Sequence, residues 1–182
     1  MIFRETALAG VLLIEPERQC DARGHFSRAF CRDEFTAQGL NGAFVQVSTS
    51  MNKLRGTLRG LHYQAAPSAE DKLVRVVRGA AFDVAVDLRP GSVTYGGWIS
   101  AELSADNGRM LYIPPGCAHG FQTLEDDTEI LYMIAPNHDP AASRGVRLDD
   151  PTLKIAWPIA DPIMSARDRN ELPTLRDLRL AA

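Results

Sequence analysis

Cysteine and long apolar runs are scarce in this chain of 182 residues. The three cysteines, Cys20, Cys31 and Cys117, are an odd number without a C-x-x-C pair. They argue against a disulfide framework or a zinc site and favour a reducing compartment. The most apolar early stretch, residues 7–14, is far shorter than the roughly 20 residues that a membrane helix needs. We therefore expect a cytoplasmic protein without a membrane partner.

Runs of like charge are also missing. Twenty Lys and Arg against 23 Asp and Glu give a net charge of −3, and no charged block is long enough to bind a polyanion. We therefore expect no nucleic-acid partner.

With 45% hydrophobic residues, the chain can build one sizeable core but is too short for two ordinary domains. Residues 1–182 are predicted to form a single domain.

Alternation of apolar and polar residues dominates the middle of the chain and predicts an all-β fold. In residues 82–88, apolar side chains at even positions alternate with Asp83, Ala85 and Asp87, which predicts a half-buried strand. Further strands are predicted at residues 6–14, 44–49, 72–77, 98–103, 110–113 and 129–134. Their even spacing favours a sandwich or jelly roll. Short helices are predicted only at residues 32–38 and about residues 165–170, and a loop at residues 137–151.

Two of the four histidines lie in motifs that a barrel would fold inward. Residues 108–119 read G-x5-P-x-G-x2-H and end in His119, which resembles the second motif of the cupins, a superfamily of jelly rolls. The first cupin motif supplies H-x-H and a Glu as a socket for a divalent cation. Here residues 59–64 supply only His62, so we expect neither a metal nor a cofactor. The alternative is that both histidines are hydrogen-bonded core residues.

Lysine is the rarest cation, and one of the three, Lys72, opens a predicted strand. A lysine that faces a barrel interior is costly to bury unless it has a partner. Asp83 and Asp87, on the next strand, are candidates for that partner. The alternative is that all three side chains face solvent on an open sheet.

These features together resemble the dTDP-4-dehydrorhamnose 3,5-epimerase family. The match runs in order through G-T-L-R-G-L-H-Y-Q (residues 56–64), Lys72, D-V-A-V-D-L-R (83–89), P-G-C-A-H-G-F (115–121) and Trp157-Pro158. The resemblance covers nearly the whole chain. It implies a cupin-type jelly roll, a homodimer with exchanged N-terminal strands, and epimerisation of a nucleotide-diphospho-4-keto-6-deoxyhexose without metal.

The resemblance also implies catalytic roles for four residues. His62 would be the base that removes a proton beside the ketone, and Asp168 would orient its imidazole. Lys72 would stabilise the enolate oxygen, and Tyr132 would return a proton to the opposite face of the sugar. Without the resemblance, a tyrosine on a strand and an aspartate in a short helix would not indicate a function.

Nine further residues match substrate-binding positions of the family by resemblance: Arg23, Phe26, Arg28, Gln46, Ser48, Arg59, Asp83, His119 and His138. Arg23 would reach the diphosphate of the substrate in the neighbouring subunit, where a guanidinium suits phosphate oxygens. Asp83 would steady Lys72 or His62.

Three departures from the family pattern concern the recognition of the substrate and the second proton transfer. Arg28 stands where the family has Glu, residues 46–48 read Q-V-S instead of Q-D-N, and His138 replaces a tyrosine. The resemblance therefore leaves open which base and sugar are bound, and whether C3, C5 or both are inverted. A 3-epimerase, a 3,4-ketoisomerase and a non-catalytic sugar-binding cupin are the alternatives. The acid–base set argues against the last, because binding alone does not require it.

Overall fold

Thirteen strands and three short helices make up the computed structural model, which describes residues 1–181. The helices are α1 Arg32–Ala37, α2 Ala166–Asn170 and α3 Leu175–Ala181, and a single 3-10 turn spans Pro140–Ala142. The strands are β1 Ile2–Glu5, β2 Leu12–Glu15, β3 Arg18–Asp21, β4 Gly24–Ser27, β5 Gln46–Asn52, β6 Leu58–Gln64, β7 Asp71–Arg78, β8 Ala80–Asp87, β9 Trp98–Ser104, β10 Met110–Ile113, β11 Cys117–Thr123, β12 Thr128–Ala135 and β13 Ser143–Gly145.

The strands form two sheets whose pairings are all antiparallel. A six-stranded sheet has the order β1-β2-β10-β7-β12-β5, and a five-stranded sheet has the order β13-β6-β11-β8-β9. Strands β3 and β4 form a separate hairpin. Neighbours in space are mostly distant in sequence, as in a jelly roll. The predicted all-β, cupin-type jelly roll is confirmed.

Apolar side chains fill three layers around the two sheets. One cluster, which includes Val74, Leu111 and Phe121, takes residues from both sheets and lies between them. A second packs residues 146–178 against the outer face of the five-stranded sheet. A third packs Phe35 of α1 against the outer face of the six-stranded sheet. Burial of these side chains, at roughly 25 cal/mol per Å² of apolar surface, is the main force that closes the barrel.

The prediction of a half-buried strand at residues 82–88 is wrong. Strand β8 is buried on both faces, and Asp83 and Asp87 have no exposed surface. Residues 146–178 cover one face and the barrel interior covers the other. The alternation therefore marks two different buried environments rather than core and solvent.

Other elements differ from the predictions as well. Strands β1, β6 and β11 were not predicted, and β5 begins and ends later than the strand predicted at residues 44–49. Residues 6–11 form a turn, in which the Thr6 hydroxyl bonds to the carbonyls of Leu8 and Val11, so the strand begins only at Leu12. The predicted loop at residues 137–151 contains β13, which adds an edge strand to the five-stranded sheet. The β3–β4 hairpin and α3 were not predicted; β3 and β4 are almost entirely exposed and carry no apolar alternation. Helices α1 and α2 lie where they were predicted.

No helix in the described part of the chain combines the length and the hydrophobicity that a membrane crossing requires.

Candidate active site

A cavity of about 670 Å³ opens into the barrel interior, a volume that suits a small-molecule ligand. All four residues predicted to be catalytic line it, together with Arg59, His119 and His138. Side chains from both sheets, from the loop before β7 and from α2 complete the wall: His62, Gln64, Glu70, Lys72, Tyr132, Ser143, Ser165, Arg167 and Asp168.

His62 and Asp168 form a hydrogen-bonded pair at one wall of the cavity. The Nε2 atom of His62 lies 2.8 Å from Oδ1 of Asp168. The imidazole is 38% exposed, whereas the carboxylate is 5% exposed. Burial alone would raise the pKa of Asp168, but the hydrogen bond from His62, the charge of His62 when it is protonated, and bonds from Ser165 and the Gly60 backbone hold the pKa below its ordinary value. Asp168 is therefore an anion at neutral pH.

The N-cap of α2 places that carboxylate. Ser165 is the N-cap residue, and its hydroxyl accepts a hydrogen bond from the Asp168 backbone N–H. Because a serine at this position satisfies an orphan backbone donor, it fixes where the helix begins. The first turn of α2 then directs Asp168 toward β6.

His62 and His119 are direct cross-strand partners on β6 and β11. Opposite residues of antiparallel strands project to the same face, so both imidazoles face the cavity. The strands approach closely at two glycines: a Cβ on Gly60, whose φ is +126°, would lie 2.5 Å from the Cα of Gly120. A side chain at either glycine would separate the strands that carry the two histidines.

Asp83 pairs with His119, which corrects the expectation that it steadies Lys72 or His62. Its Oδ2 atom lies 2.9 Å from Nε2 of His119, and both side chains are buried. The neighbouring strands β8 and β11 bring the two together. The His119 ring meets the ring of Tyr132 edge to face, with centroids 6.0 Å apart. His119 is thus a hydrogen-bonded core residue, as the alternative interpretation held, and it lines the cavity as well.

Lys72 is buried, but neither predicted partner bonds to it. Its Nζ atom lies 2.6 Å from Oε1 of Glu70. Asp87 is engaged elsewhere, because it accepts hydrogen bonds from the side chains of Arg89, Ser92 and Thr94 in the turn after β8. The sequence reasoning considered partners on the next strand, whereas the partner lies two residues earlier in the chain.

Tyr132 faces the two histidines from the six-stranded sheet. Its hydroxyl makes no hydrogen bond to another residue of the described chain, so it is available to a ligand. Burial raises the pKa of this phenol well above its ordinary value, the charge of Asp83 adds to the rise, and the charge of Arg59 opposes it. Tyr132 therefore stays protonated at neutral pH, and its O–H is present as a donor in the cavity.

Two more residues predicted for substrate binding are held by polar neighbours. Arg59 donates from Nε to the side-chain oxygen of Asn52 at 2.8 Å, which leaves the terminal nitrogens of its guanidinium for a ligand. His138 lines the cavity, and its backbone N–H donates to the side chain of Gln46. Gln46 therefore acts on the cavity through the His138 loop.

Six of the nine residues predicted to bind substrate do not line this cavity. Gln46 and Asp83 bond to residues that do line it, and the other four lie elsewhere. Arg23 and Phe26 are on the β3–β4 hairpin, where the Arg23 side chain is 90% exposed and Phe26 is 71% exposed. Arg28 forms an ion pair with Glu34. Ser48 is an exposed residue on edge strand β5, opposite Tyr132 in register. Within a single chain, these four do not join the catalytic set.

Twelve residues of the cavity wall were not predicted from the sequence, and five of them have polar side chains at the catalytic end: Gln64, Glu70, Ser143, Ser165 and Arg167. Two of them carried a readable signal. Ser165 precedes Asp168 by three residues, the spacing of an N-cap, and Glu70 precedes Lys72 by two, the spacing of side chains on one strand face. Ser143 and Arg167 depend on the path of β13 and α2, which no local pattern specifies.

Within residues 1–181, no three His, Cys, Asp or Glu side chains are grouped so that they could hold a metal ion. A reaction without metal or cofactor stays a prediction.

The fold and the cavity define a class of protein: a cupin-type jelly roll whose barrel holds a histidine–carboxylate pair, a buried lysine and a phenol around one cavity. The family model described as dTDP-4-dehydrorhamnose 3,5-epimerase matches residues 5–177. A Sinorhizobium fredii dTDP-4-dehydrorhamnose 3,5-epimerase is 44% identical over 98% of this chain and 91% of its own length. A Streptomyces niveus dTDP-4-dehydrorhamnose 3-epimerase is 39% identical, over 94% and 83%.

A solved structure agrees with these matches. The Bacillus anthracis dTDP-4-dehydrorhamnose 3,5-epimerase, crystallised with TDP and PPi bound, superposes with a TM-score of 0.92 at 39% identity, over 95% of this chain and 98% of that one. The chain belongs to the dTDP-4-dehydrorhamnose 3,5-epimerase family. It is accordingly an isomerase, an epimerase of deoxysugar biosynthesis.

Proposed function

We propose that the protein inverts carbon centres beside the ketone of a nucleotide-diphospho-4-keto-6-deoxyhexose of the dTDP-4-dehydro-6-deoxyglucose type. One observation carries the proposal. A histidine paired with a buried carboxylate, His62 with Asp168, opens into the same cavity as the protonated phenol of Tyr132 on the facing sheet. Epimerisation beside a ketone needs such an arrangement, because a proton must leave one face of the ring and another must reach the opposite face.

His62 is the base in this proposal. Its Nε2 atom is held by Asp168, so Nδ1 carries the lone pair that is free to accept the proton from carbon. The Asp168 carboxylate fixes this tautomer and stabilises the imidazolium that forms when the proton arrives. The C–H electron pair moves onto the sugar and gives an enolate.

Lys72 stabilises that enolate. Its ammonium lines the cavity, and a positive donor at the developing oxyanion is worth about 3 kcal/mol in a site that excludes water. Tyr132 then donates its proton to the carbon from the other side. The tyrosinate and the imidazolium exchange protons with solvent before the next turnover, so the reaction has no net redox change.

The diphosphate is the part of the substrate that arginine would bind. Arg59 lines the cavity with the end of its guanidinium free of the bond to Asn52, and guanidinium groups match phosphate oxygens geometrically. Arg23 lies on an exposed hairpin and does not line the cavity of its own chain, so we assign it to the cavity of another subunit. The Bacillus anthracis relative binds TDP and PPi, which supports a nucleotide diphosphate as the part of the substrate that the arginines bind.

We also propose a homodimer with exchanged N-terminal strands. Edge strand β5 of the six-stranded sheet exposes Val47 and Met51, Val45 is exposed just before it, and Phe26 is exposed on the hairpin. A sheet edge with apolar side chains favours pairing with another chain. The nearby side chain of Arg75 has a buried Nε atom without a partner among the described residues. A cytoplasmic location rests on the sequence alone and stays a prediction.

A second candidate function is inversion at C3 alone. The imidazole of His138 at the cavity wall replaces the family's tyrosine, and the Streptomyces niveus relative is a 3-epimerase by name. The 3,4-ketoisomerase and the non-catalytic sugar-binding cupin are less well supported. A ketoisomerase must protonate C4 and also move a hydroxyl proton from O3 to O4, and a binding protein needs no acid–base set.

The test is a product analysis by NMR after incubation with dTDP-4-dehydro-6-deoxyglucose. We expect a 4-ketone with inverted configuration at C3, at C5 or at both. A product with its carbonyl at C3 would establish the ketoisomerase instead. Unchanged sugar, together with measurable binding of dTDP, would favour the non-catalytic alternative.

A further inference from the structure

Lys72 has three N–H donors, and two of them are already used within the protein. One is directed at Oε1 of Glu70, 2.6 Å from Nζ. Another donates to the backbone carbonyl of His62 at 3.3 Å. The third donor is free, and since Lys72 lines the cavity, this N–H is the one that a substrate oxygen can accept.

Glu70 is itself fixed from its other side. Its side chain is 6% exposed, and its Oε2 atom accepts a hydrogen bond from Nε2 of Gln64 at 2.9 Å. The amide oxygen of Gln64, Oε1, accepts a hydrogen bond from the backbone N–H of Asp139 at 2.7 Å. Both oxygens of Glu70 and both functional atoms of the Gln64 amide therefore have partners inside the protein.

This network connects the two sheets at the mouth of the barrel. Gln64 and His62 are two residues apart on β6, Lys72 is the second residue of β7, and Glu70 immediately precedes that strand. Side chains two apart on a strand share a face, so Gln64 lies on the same face as His62. Its amide bonds to Glu70, which in turn binds the ammonium of Lys72. The bond from Lys72 to the His62 carbonyl closes the ring of contacts.

The same network holds the loop that carries His138. Two consecutive peptide N–H groups of this loop are bound by glutamine side chains: that of His138 by Gln46 on β5, and that of Asp139 by Gln64 on β6. The loop is thus clamped to both sheets. A change at Gln64 would reach both the ammonium and the loop.

We infer that Glu70 and Gln64 are positioning residues that aim the free N–H of Lys72 at the oxygen on which the enolate charge develops. This inference rests on the proposed function. The physical reason is that an oxyanion is stabilised most by a donor that is already in place, because no reorganisation is then needed in the transition state. Glu70 restrains a flexible four-carbon side chain that would otherwise sample many rotamers.

The experiment compares Glu70→Gln with the wild type and with Glu102→Gln, a matched substitution at an exposed residue of β9. The rate of deuterium uptake from heavy water into the sugar reports enolate formation, and calorimetry reports the affinity for dTDP. We expect Glu70→Gln to lower kcat by about 10- to 100-fold, the scale of a misplaced catalytic group. KM and the dTDP affinity should stay within about 2-fold, and Glu102→Gln should match the wild type.

A double-mutant cycle separates positioning from a general structural effect. In a Lys72→Ala background, Glu70→Gln should change the remaining rate by less than about 2-fold, because residues that act through one another are not additive. An equal loss in both backgrounds would overturn the inference. So would a Glu70→Gln enzyme as fast as the wild type.

Two further outcomes are distinguishable. If the wild type itself takes up no deuterium, the proposed function fails, and the inference fails with it. If Glu70→Gln does not fold, Glu70→Asp applies the same test, since it keeps the charge but withdraws the carboxylate by one methylene. We expect this variant to lose rate while it keeps dTDP affinity, and full activity would contradict the inference.

Discussion

Nε2 of His62 and Oδ1 of Asp168 lie 2.8 Å apart, although the two residues are separated by 106 positions in the chain. The contact joins β6 to the first turn of a five-residue helix near the C-terminal end. It leaves Nδ1 of the imidazole free to act on a ligand. The proposed base therefore exists only when the C-terminal segment is folded onto the barrel.

His62→Asn should lower kcat by at least about 100-fold with little change in KM, because the substitution removes the proton acceptor but keeps a polar side chain of similar size. Asp168→Asn should be impaired less, since the imidazole remains but loses the anion that fixes its tautomer. Steady-state kinetics with dTDP-4-dehydro-6-deoxyglucose measure both. A His62→Asn enzyme that turns over like the parent would remove His62 from the mechanism.

Asp87 should make the fold sensitive to acid. Burial alone would raise the pKa of Asp87, but hydrogen bonds from Arg89, Ser92 and Thr94 hold it well below its ordinary value. A group with a lowered pKa contributes stability above its unfolded pKa, about 3.9, and the contribution is lost as pH falls toward the folded pKa. Asp87→Asn should thus cost about 2 kcal/mol near pH 6, as expected for lost hydrogen bonds to a charged group.

Urea unfolding at pH 6, 5, 4 and 3 checks this linkage. The difference in free energy of unfolding between wild type and Asp87→Asn should be constant from pH 6 to pH 5 and about 1 kcal/mol smaller at pH 3. Asp33→Asn, at an exposed residue of α1, is the control. A difference that does not narrow at pH 3 would mean that the Asp87 bonds do not favour its charged form.

Arg23 should act on the cavity of the partner subunit if the proposed dimer forms. Arg23→Ala and His62→Asn homodimers should each be weakly active. Mixed after unfolding and refolding together, they should regain activity, because one of the two cavities in a heterodimer then has both residues. Arg4→Ala, at another exposed arginine near the N-terminus, should not lower activity. Absence of recovery in a mixture shown to contain heterodimers would contradict a shared site.

His138 should influence how many centres are inverted. Its imidazole differs from the tyrosine of the family in reach and in donor geometry. We expect solvent deuterium to enter C3 well before C5, and His138→Tyr to raise the share at C5. Time-resolved NMR of the sugar measures both positions. Equal early labelling at both carbons, unchanged in His138→Tyr, would show that the residue does not control the second inversion.

The motifs around His62 and His119 were predictable because a glycine-rich strand and a Pro-Gly turn restrict the local path of the chain. That His62 and His119 face one cavity was expected only from the resemblance. The register of β6 and β11, which places the two histidines opposite each other, is the physical reason. Alternation alone could not predict the partner of Lys72, because Asp83 and Glu70 are both carboxylates that could pair with a lysine. The fold decides between them: Asp83 bonds to His119, which leaves Glu70 for Lys72.

Strand β8 illustrates the other limit. Its alternating pattern is real, yet Asp83 and Asp87 lie in polar pockets inside the protein rather than in water. A sequence pattern separates the two faces of a strand but does not say what covers each face. Residues 146–178 cover one of them, and nothing local to β8 specifies that.

Proton removal by His62 beside the ketone is tested most directly by incubating the protein with dTDP-4-dehydro-6-deoxyglucose in heavy water. We expect the wild type to replace a carbon-bound hydrogen next to the ketone with deuterium, and His62→Asn to do so at least about 100-fold more slowly. A wild type that leaves these positions unlabelled, or a His62→Asn variant that labels them at the parental rate, would contradict this role of His62.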